Sequence, residues 1–182
     1  MCGRKESNIT GKNDEGDKSE NIEPDIITLT NVIACLERAK GEENLKRMDM
    51  VFEDAVERQI ILSDDSMDTQ WEIDLSGMSL PVARGACRYI MKRLSQTITL
   101  GSGEVENLML ITGVGKQNHY QRQNQNDEIT DQGSRTALRE HVRQILRQDF
   151  EPPLYSTIPN NAVGTVQINR DVMEKWIETQ KQ

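Results

Sequence analysis

Cysteine and histidine are nearly absent: Cys2, Cys35 and Cys87, with His119 and His141, are all that 182 residues contain. An odd number of widely spaced cysteines argues against a disulfide framework or a zinc site and for a reducing compartment. Neither histidine has a partner at metal-ligand spacing, and no Ser/His/Asp arrangement is present. No apolar run approaches the roughly 20 residues of a membrane-spanning helix. The start, Met1-Cys2-Gly3-Arg4-Lys5-Glu6, lacks the apolar core of a signal peptide. Asp14, Glu15, Asp17, Glu20 and Glu23 have the wrong sign for an organellar transit peptide. Hydrophobic residues make up only 35% against 29% charged, so part of the length is expected to lie outside any core.

The chain is long enough for one domain with extensions. Its net charge of −8 is unevenly placed. Residues 1–70 carry 9 Lys/Arg and 17 Asp/Glu, a balance of −8, whereas residues 71–182 carry 13 of each and balance to zero. Residues 1–23 are polar and nearly free of large apolar side chains, and read as a disordered acidic tail.

From Pro24 to residue 62 the pattern becomes helical. Ile27, Val32, Ile33 and Leu36 have helical spacing, Lys40-Gly41 interrupts it, and Leu45, Met48, Val51, Phe52, Ala55 and Val56 resume it. Two amphipathic helices joined by a short turn make an αα-hairpin, which must stack on something to bury its apolar face. The segments from Pro24 to Ile33 and from Val51 to Arg58 resemble one pentatricopeptide repeat, with Leu29 in place of the usual tyrosine. That resemblance implies single-stranded RNA as a ligand and sets Asn31 at a base-contacting position; a hairpin used only for packing is the alternative.

Residues 63–70 read as an acidic linker, and a second unit spans 71–180. Ile73 and Leu75 alternate with polar neighbours as a strand does. Ser79 is a candidate N-cap and Pro81 sits in the first turn of a helix to about Ser95, with Ala83, Ala86, Cys87, Ile90 and Leu94 as its buried stripe. Leu108 to Ile111 forms a buried strand, and residues 116–133, rich in Gln and Asn, read as a flexible insertion. Ser134 then caps a helix with core residues Leu138, Val142, Ile145 and Leu146, which Pro152-Pro153 ends. Strands at Leu154–Ile158 and Val163–Ile168 and a last helix carrying Val172 and Trp176 complete a β-α-β-α-β-β-α order. The expected fold is an α/β two-layer sandwich with a mixed four-stranded sheet.

Ligand chemistry in open α/β sheets gathers at the C-terminal ends of strands, which is where Asp74 and Ser76 fall. Asp74 could bind a divalent metal or act as a base, or hydrogen-bond a neighbouring turn. Thr112-Gly113-Val114-Gly115-Lys116 lets backbone approach a phosphate closely, or simply makes a tight turn. Each long helix carries a basic row: Arg84, Arg88 and Lys92 on the first, Arg135, Arg139, Arg143 and Arg147 on the second. Residues four apart drift slowly around a helix, so each set forms one slanting row suited either to phosphates or to a solvated face.

Residues 71–177 resemble the Smr (small MutS-related) domain, in the version fused to pentatricopeptide repeats in plants and algae. The resemblance rests on Ile73 through Arg84 and on Leu110 through Lys116. It extends to Leu138-Arg139-Glu140-His141-Val142-Arg143 and Asn160 through Val166. It implies a two-layer α/β sandwich, RNA (more than DNA) as partner, and metal-assisted endonucleolytic nicking with Mg²⁺. The implied catalytic residues are Asp74 (also the metal ligand), Ser76 and Thr112. The candidate nucleic-acid contacts are Gly77, Gly113, Gly115 and Lys116 at the strand ends, with Arg84, Arg88, Arg135, Arg139 and Arg143 from the two basic rows. The family's first motif reads Leu-Asp-X-His-Gly, and here Ser76 stands at the histidine; a serine cannot serve as an imidazole base at neutral pH. A non-cleaving RNA-binding module is therefore the alternative expectation. The resemblance also implies a chloroplast or mitochondrial site of action; a monomer without membrane contact is the further expectation.

Overall fold

A computed structural model describes residues 23–62, 71–101, 104–113 and 128–181, with side chains from residue 137 onward in the helix that begins at 128. Two helices come first, α1 (Ile26–Ala39) and α2 (Glu42–Glu57). Asp25 starts α1 by accepting the Thr28 N–H at 2.8 Å and the Thr28 hydroxyl at 2.7 Å, a side-chain cap on otherwise unpaired donors. These bonds hold its carboxyl below the usual range, the Thr28 hydroxyl contributing most. Lys40 and Gly41 turn the chain with φ of 54° and 90°, so the break expected from the sequence is a left-handed turn. The apolar stripe of α1 differs from the expected one: Leu29 and Ile33 are buried, whereas Ile27 and Val32 are exposed. Leu29 and Ile33 are four apart on one face, and that face is the one turned to α2 and the helix beyond it.

The α/β part runs β1 (Glu72–Asp74), α3 (Leu80–Thr99), β2 (Leu108–Ile111), α4 (Glu128–Gln148), β3 (Thr165–Ile168) and α5 (Arg170–Gln180). The sheet order is β1-β2-β3, with β1 parallel to β2 and β3 antiparallel to it. Among the described residues the sheet has three strands, not four. The segment expected as a strand at Leu154–Ile158 contributes one bridge, in which Thr157 and Gln167 exchange N–H···O bonds of 2.8 and 2.9 Å. Its first residue turns elsewhere, since the Leu154 N–H bonds the Leu146 carbonyl at the end of α4. Pro152, Pro153 and Pro159 bracket the segment and remove donors from both flanks. Helix α4 begins at Glu128, six residues before Ser134, so its first turns occupy the end of the stretch expected to be a flexible insertion.

Side chains alternate across the sheet. Ile73, Leu108, Leu110, Val166 and Ile168 are buried in the core with the helices, while Glu72, Asp74, Met109, Ile111 and Gln167 keep exposure on the opposite face.

Helix α3 is the centre of the molecule. The expected stripe of Ala83, Ala86, Cys87, Ile90 and Leu94 is buried, but so are Val82, Gly85, Tyr89 and Met91. A helix buried on most of its circumference has neighbours on several sides, and α3 touches α1, α2, α4 and α5. Gly85 permits a close contact with α2. A methyl group there would sit 2.6 Å from Phe52 Cδ2 and 3.1 Å from Phe52 Cγ, and Phe52 is fully buried. Hairpin and α/β unit consequently share one apolar core rather than meeting as two domains. Cys87 lies inside it, and burial pushes its thiol up to about 12, as expected for a small core residue. Among the described residues no helix is long and apolar enough to cross a membrane.

Candidate nucleic-acid interface

The C-terminal ends of β1 and β2 lie side by side because the strands are parallel, with Asp74 opposite Ile111. At the first end, Asp74 Oδ1 accepts the Ser76 N–H at 2.7 Å, and the Met78 N–H bonds the Leu75 carbonyl at 3.1 Å. The resulting turn has Gly77 at its third position with φ of 82°, the left-handed value that a type II turn demands and that glycine adopts without strain. Asp74 thus organises the turn that presents the exposed Ser76.

At the second end, Gly113 has φ of 94°, and a methyl group on it would lie 3.4 Å from Ser76 Cβ. The two ends are therefore in near van der Waals reach. Thr112 is 2% exposed, its hydroxyl donating to the Gly164 carbonyl at 2.9 Å and its N–H to the same oxygen at 2.8 Å. That hydroxyl ties β2 to the loop before β3 rather than facing solvent. Gly115 and Lys116 lie outside the described residues.

The loop before β3 is held from a second side. Arg139, on α4, donates from Nη1 to the Val163 carbonyl at 2.8 Å. One turn further, Arg143 donates from Nη1 to Glu140 at 3.0 and 3.3 Å. A guanidinium carries five donors, and these contacts use only some of them; the Nε of each is buried without a hydrogen bond, that of Arg139 lying 3.5 Å from Glu140 as an ion pair. The His141 ring donates from Nε2 to the Leu80 carbonyl at 3.1 Å, joining α4 to the start of α3. The backbone of Arg135 lies on the same helix, and its side chain is outside the described residues. The structure thus brings together Asp74, Ser76, Gly77, Thr112, Gly113 and, through the loop before β3, Arg139, with Arg143 one turn further along α4. The carbonyls of Val163 and Gly164 complete the arrangement, a role that residue type alone does not signal.

Arg84 and Arg88 are placed elsewhere. Arg84 grips Asp149 in a two-pronged pair of 2.7 and 2.8 Å, with Glu37 at 3.7 Å. Arg88 grips Asp49 at 2.7 and 2.6 Å, with Asp149 at 3.7 Å. Lys92 pairs with Glu53. Both guanidinium groups are held above their ordinary value, chiefly by the hydrogen bonds to Asp149 and Asp49 respectively. The α3 row thus faces carboxylates of α1, α2 and the end of α4. Asp49 and Glu53 are four apart, as are the Arg88 and Lys92 that they meet, although spacing alone does not single them out as partners.

Compared with known protein-family models, curated proteins and solved structures, the chain matches none.

Proposed function

We propose that the chain is a nucleic-acid-binding module of the Smr type that takes single-stranded RNA at the C-terminal ends of β1 and β2. The observation that carries this reading is the meeting of the two strand ends, Ser76 against Gly113, beside the arginine row of α4. Two glycines in left-handed conformation leave the backbone open to a phosphate. Arg139 and Arg143 supply planar, permanently charged donors that suit phosphate oxygens. The hairpin adds Asn31 on the exposed side of α1, where a base would be met if the pentatricopeptide resemblance holds.

Metal-assisted nicking is the second reading, favoured by Asp74, whose Oδ2 makes no hydrogen bond among the described residues. Mg²⁺ commonly takes one or two protein carboxylates together with waters and substrate phosphates, so Asp74 beside a bound phosphate fits that donor set. There the ion would act as a Lewis acid on the phosphoryl oxygen. Ser76, with no ionisable side chain near neutral pH, positions a hydroxyl but offers no imidazole base. Labelled single-stranded RNA and duplex DNA, incubated with Mg²⁺ or EDTA beside Asp74→Ala, separate the readings. Retarded, uncut RNA with both proteins supports binding alone, and Mg²⁺-dependent cuts lost in the variant establish nicking. RNA left unretarded by wild-type protein at low salt would reject both.

A further inference from the structure

A groove of about 1070 Å³ lies over the exposed face of the sheet and the edge of β1, which no described strand covers, and no residue of the α4 arginine row lines it. Trp71, Val105, Met109 and Ile111 form its apolar lining, each half-buried. Four carboxylates surround that lining: Glu72, Asp74, Glu104 and Glu106. Among the described residues none of the four has an ion-pair partner within 4.0 Å; the groove's cation, Arg170, pairs with Glu174 at 2.6 Å and feels Glu104 and Glu106 only at longer range. Away from the strand end at Asp74, Glu72, Glu104 and Glu106 outnumber the one arginine, a balance that disfavours a phosphate backbone there.

The edge of β1 adds backbone groups to this chemistry. The Trp71 carbonyl accepts from the Met109 N–H at 2.7 Å, and the Leu75 N–H donates to the Ile111 carbonyl at 2.8 Å. In a parallel pair, alternate residues address the neighbouring strand. The backbone N–H and C=O of Glu72 and Asp74 therefore point away from β2, and no bond to them is made among the described residues. An open strand edge of this kind is a template for a further strand.

We propose that this groove binds an extended, lysine- or arginine-rich segment of a partner protein, laid as a strand beside β1. Alternate apolar side chains of that segment rest on Met109 and Ile111, and its cations meet Glu72, Glu104 and Glu106. Charge complementarity selects a cationic segment, because the groove's lining holds four carboxylates against one arginine. The inference shares only Asp74 with the RNA reading and is tested through Glu72, Glu104 and Glu106, which that reading does not use.

The test is fluorescence anisotropy of a labelled ten-residue peptide of alternating lysine and valine, titrated with the full chain at low and moderate salt. Binding is expected, weakening as salt rises, and falling about tenfold or more in the Glu72→Gln/Glu104→Gln/Glu106→Gln protein. These substitutions preserve side-chain shape at solvent-accessible sites, and circular dichroism checks that the variant folds. A lysine–glycine peptide of equal charge is expected to bind more weakly, and saturating lysine–valine peptide is expected to slow hydrogen exchange at Glu72 and Asp74. Equal affinity for the triple variant overturns the proposal, as does equal affinity for the lysine–glycine peptide or unchanged exchange along β1. A concentration-dependent dimer by sedimentation that the triple variant abolishes would give the groove to a second copy instead and overturn it too.

Discussion

Replacing Arg84 by glutamine is expected to damage the fold and leave RNA affinity intact, although Arg84 belongs to a row that invites a phosphate-binding reading. The Asp149 side chain is 5% exposed and Arg84 24%, so the pair is largely shielded from water. Removing one partner of such a pair leaves a buried carboxylate short of compensation, which costs about 3–5 kcal/mol where nothing else serves it. Here Arg88 Nη1 remains 3.7 Å from Asp149 and recovers part of that loss. The net destabilisation should be about 2–3 kcal/mol, lowering Tm by roughly 5–10 °C for a chain of this size. Thermal and urea unfolding followed by circular dichroism measure it. Arg147→Gln, at an exposed position on α4, is the control, expected to stay within about 0.5 kcal/mol of wild type. Unchanged stability of Arg84→Gln together with weakened RNA binding would refute the reasoning and return the α3 row to the ligand.

Gly85→Ala should destabilise the protein by about 1–3 kcal/mol, even though alanine is the better helix former by about 1 kcal/mol, because the new methyl group meets the Phe52 ring. Equal or greater stability in urea would contradict the packing described. In a Cys2→Ser background the exposed Cys35 should react with Ellman's reagent in the native protein, and Cys87 only after unfolding. The Cys87 thiol titrates at about 12 when folded against an ordinary 9.0. The stability from burying it neutral is therefore complete below about 9 and is lost as pH rises from there toward about 12. Urea midpoints that fall no further in wild type than in Cys87→Ala above pH 9 would argue against this.

Sequence pattern made the α/β class, the mixed sheet and the preceding hairpin legible, because apolar periodicity reports directly which face is buried. The stripes of α2 and α4 were readable for that reason: Met48, Phe52, Val142 and Leu146 are all fully buried. The four-stranded sheet was misread because Leu154 to Ile158 alternates like a strand, yet the Leu154 N–H is drawn to the end of α4 and one bridge remains. Ile27 and Val32 misled because an apolar side chain near a helix start carries no label for the face it occupies. The strand-end turn around Asp74, Ser76 and Gly77 was visible as a local motif. What periodicity could not reveal is which basic row faces carboxylates, since Arg88 meets Asp49 across 39 residues and Arg84 meets Asp149 across 65. The acidic groove was equally hidden, being assembled from β1, β2 and the segment before β2.

The most direct measurement is the salt dependence of binding to a labelled single-stranded RNA for wild type, Arg139→Ala and Arg143→Ala. The proposed site predicts that affinity falls steeply with salt and that each variant binds more weakly at every concentration, with its log–log slope reduced by about 0.7 for one lost phosphate contact on a single strand. Affinity and slope unchanged in both variants would contradict an RNA site beside the ends of β1 and β2.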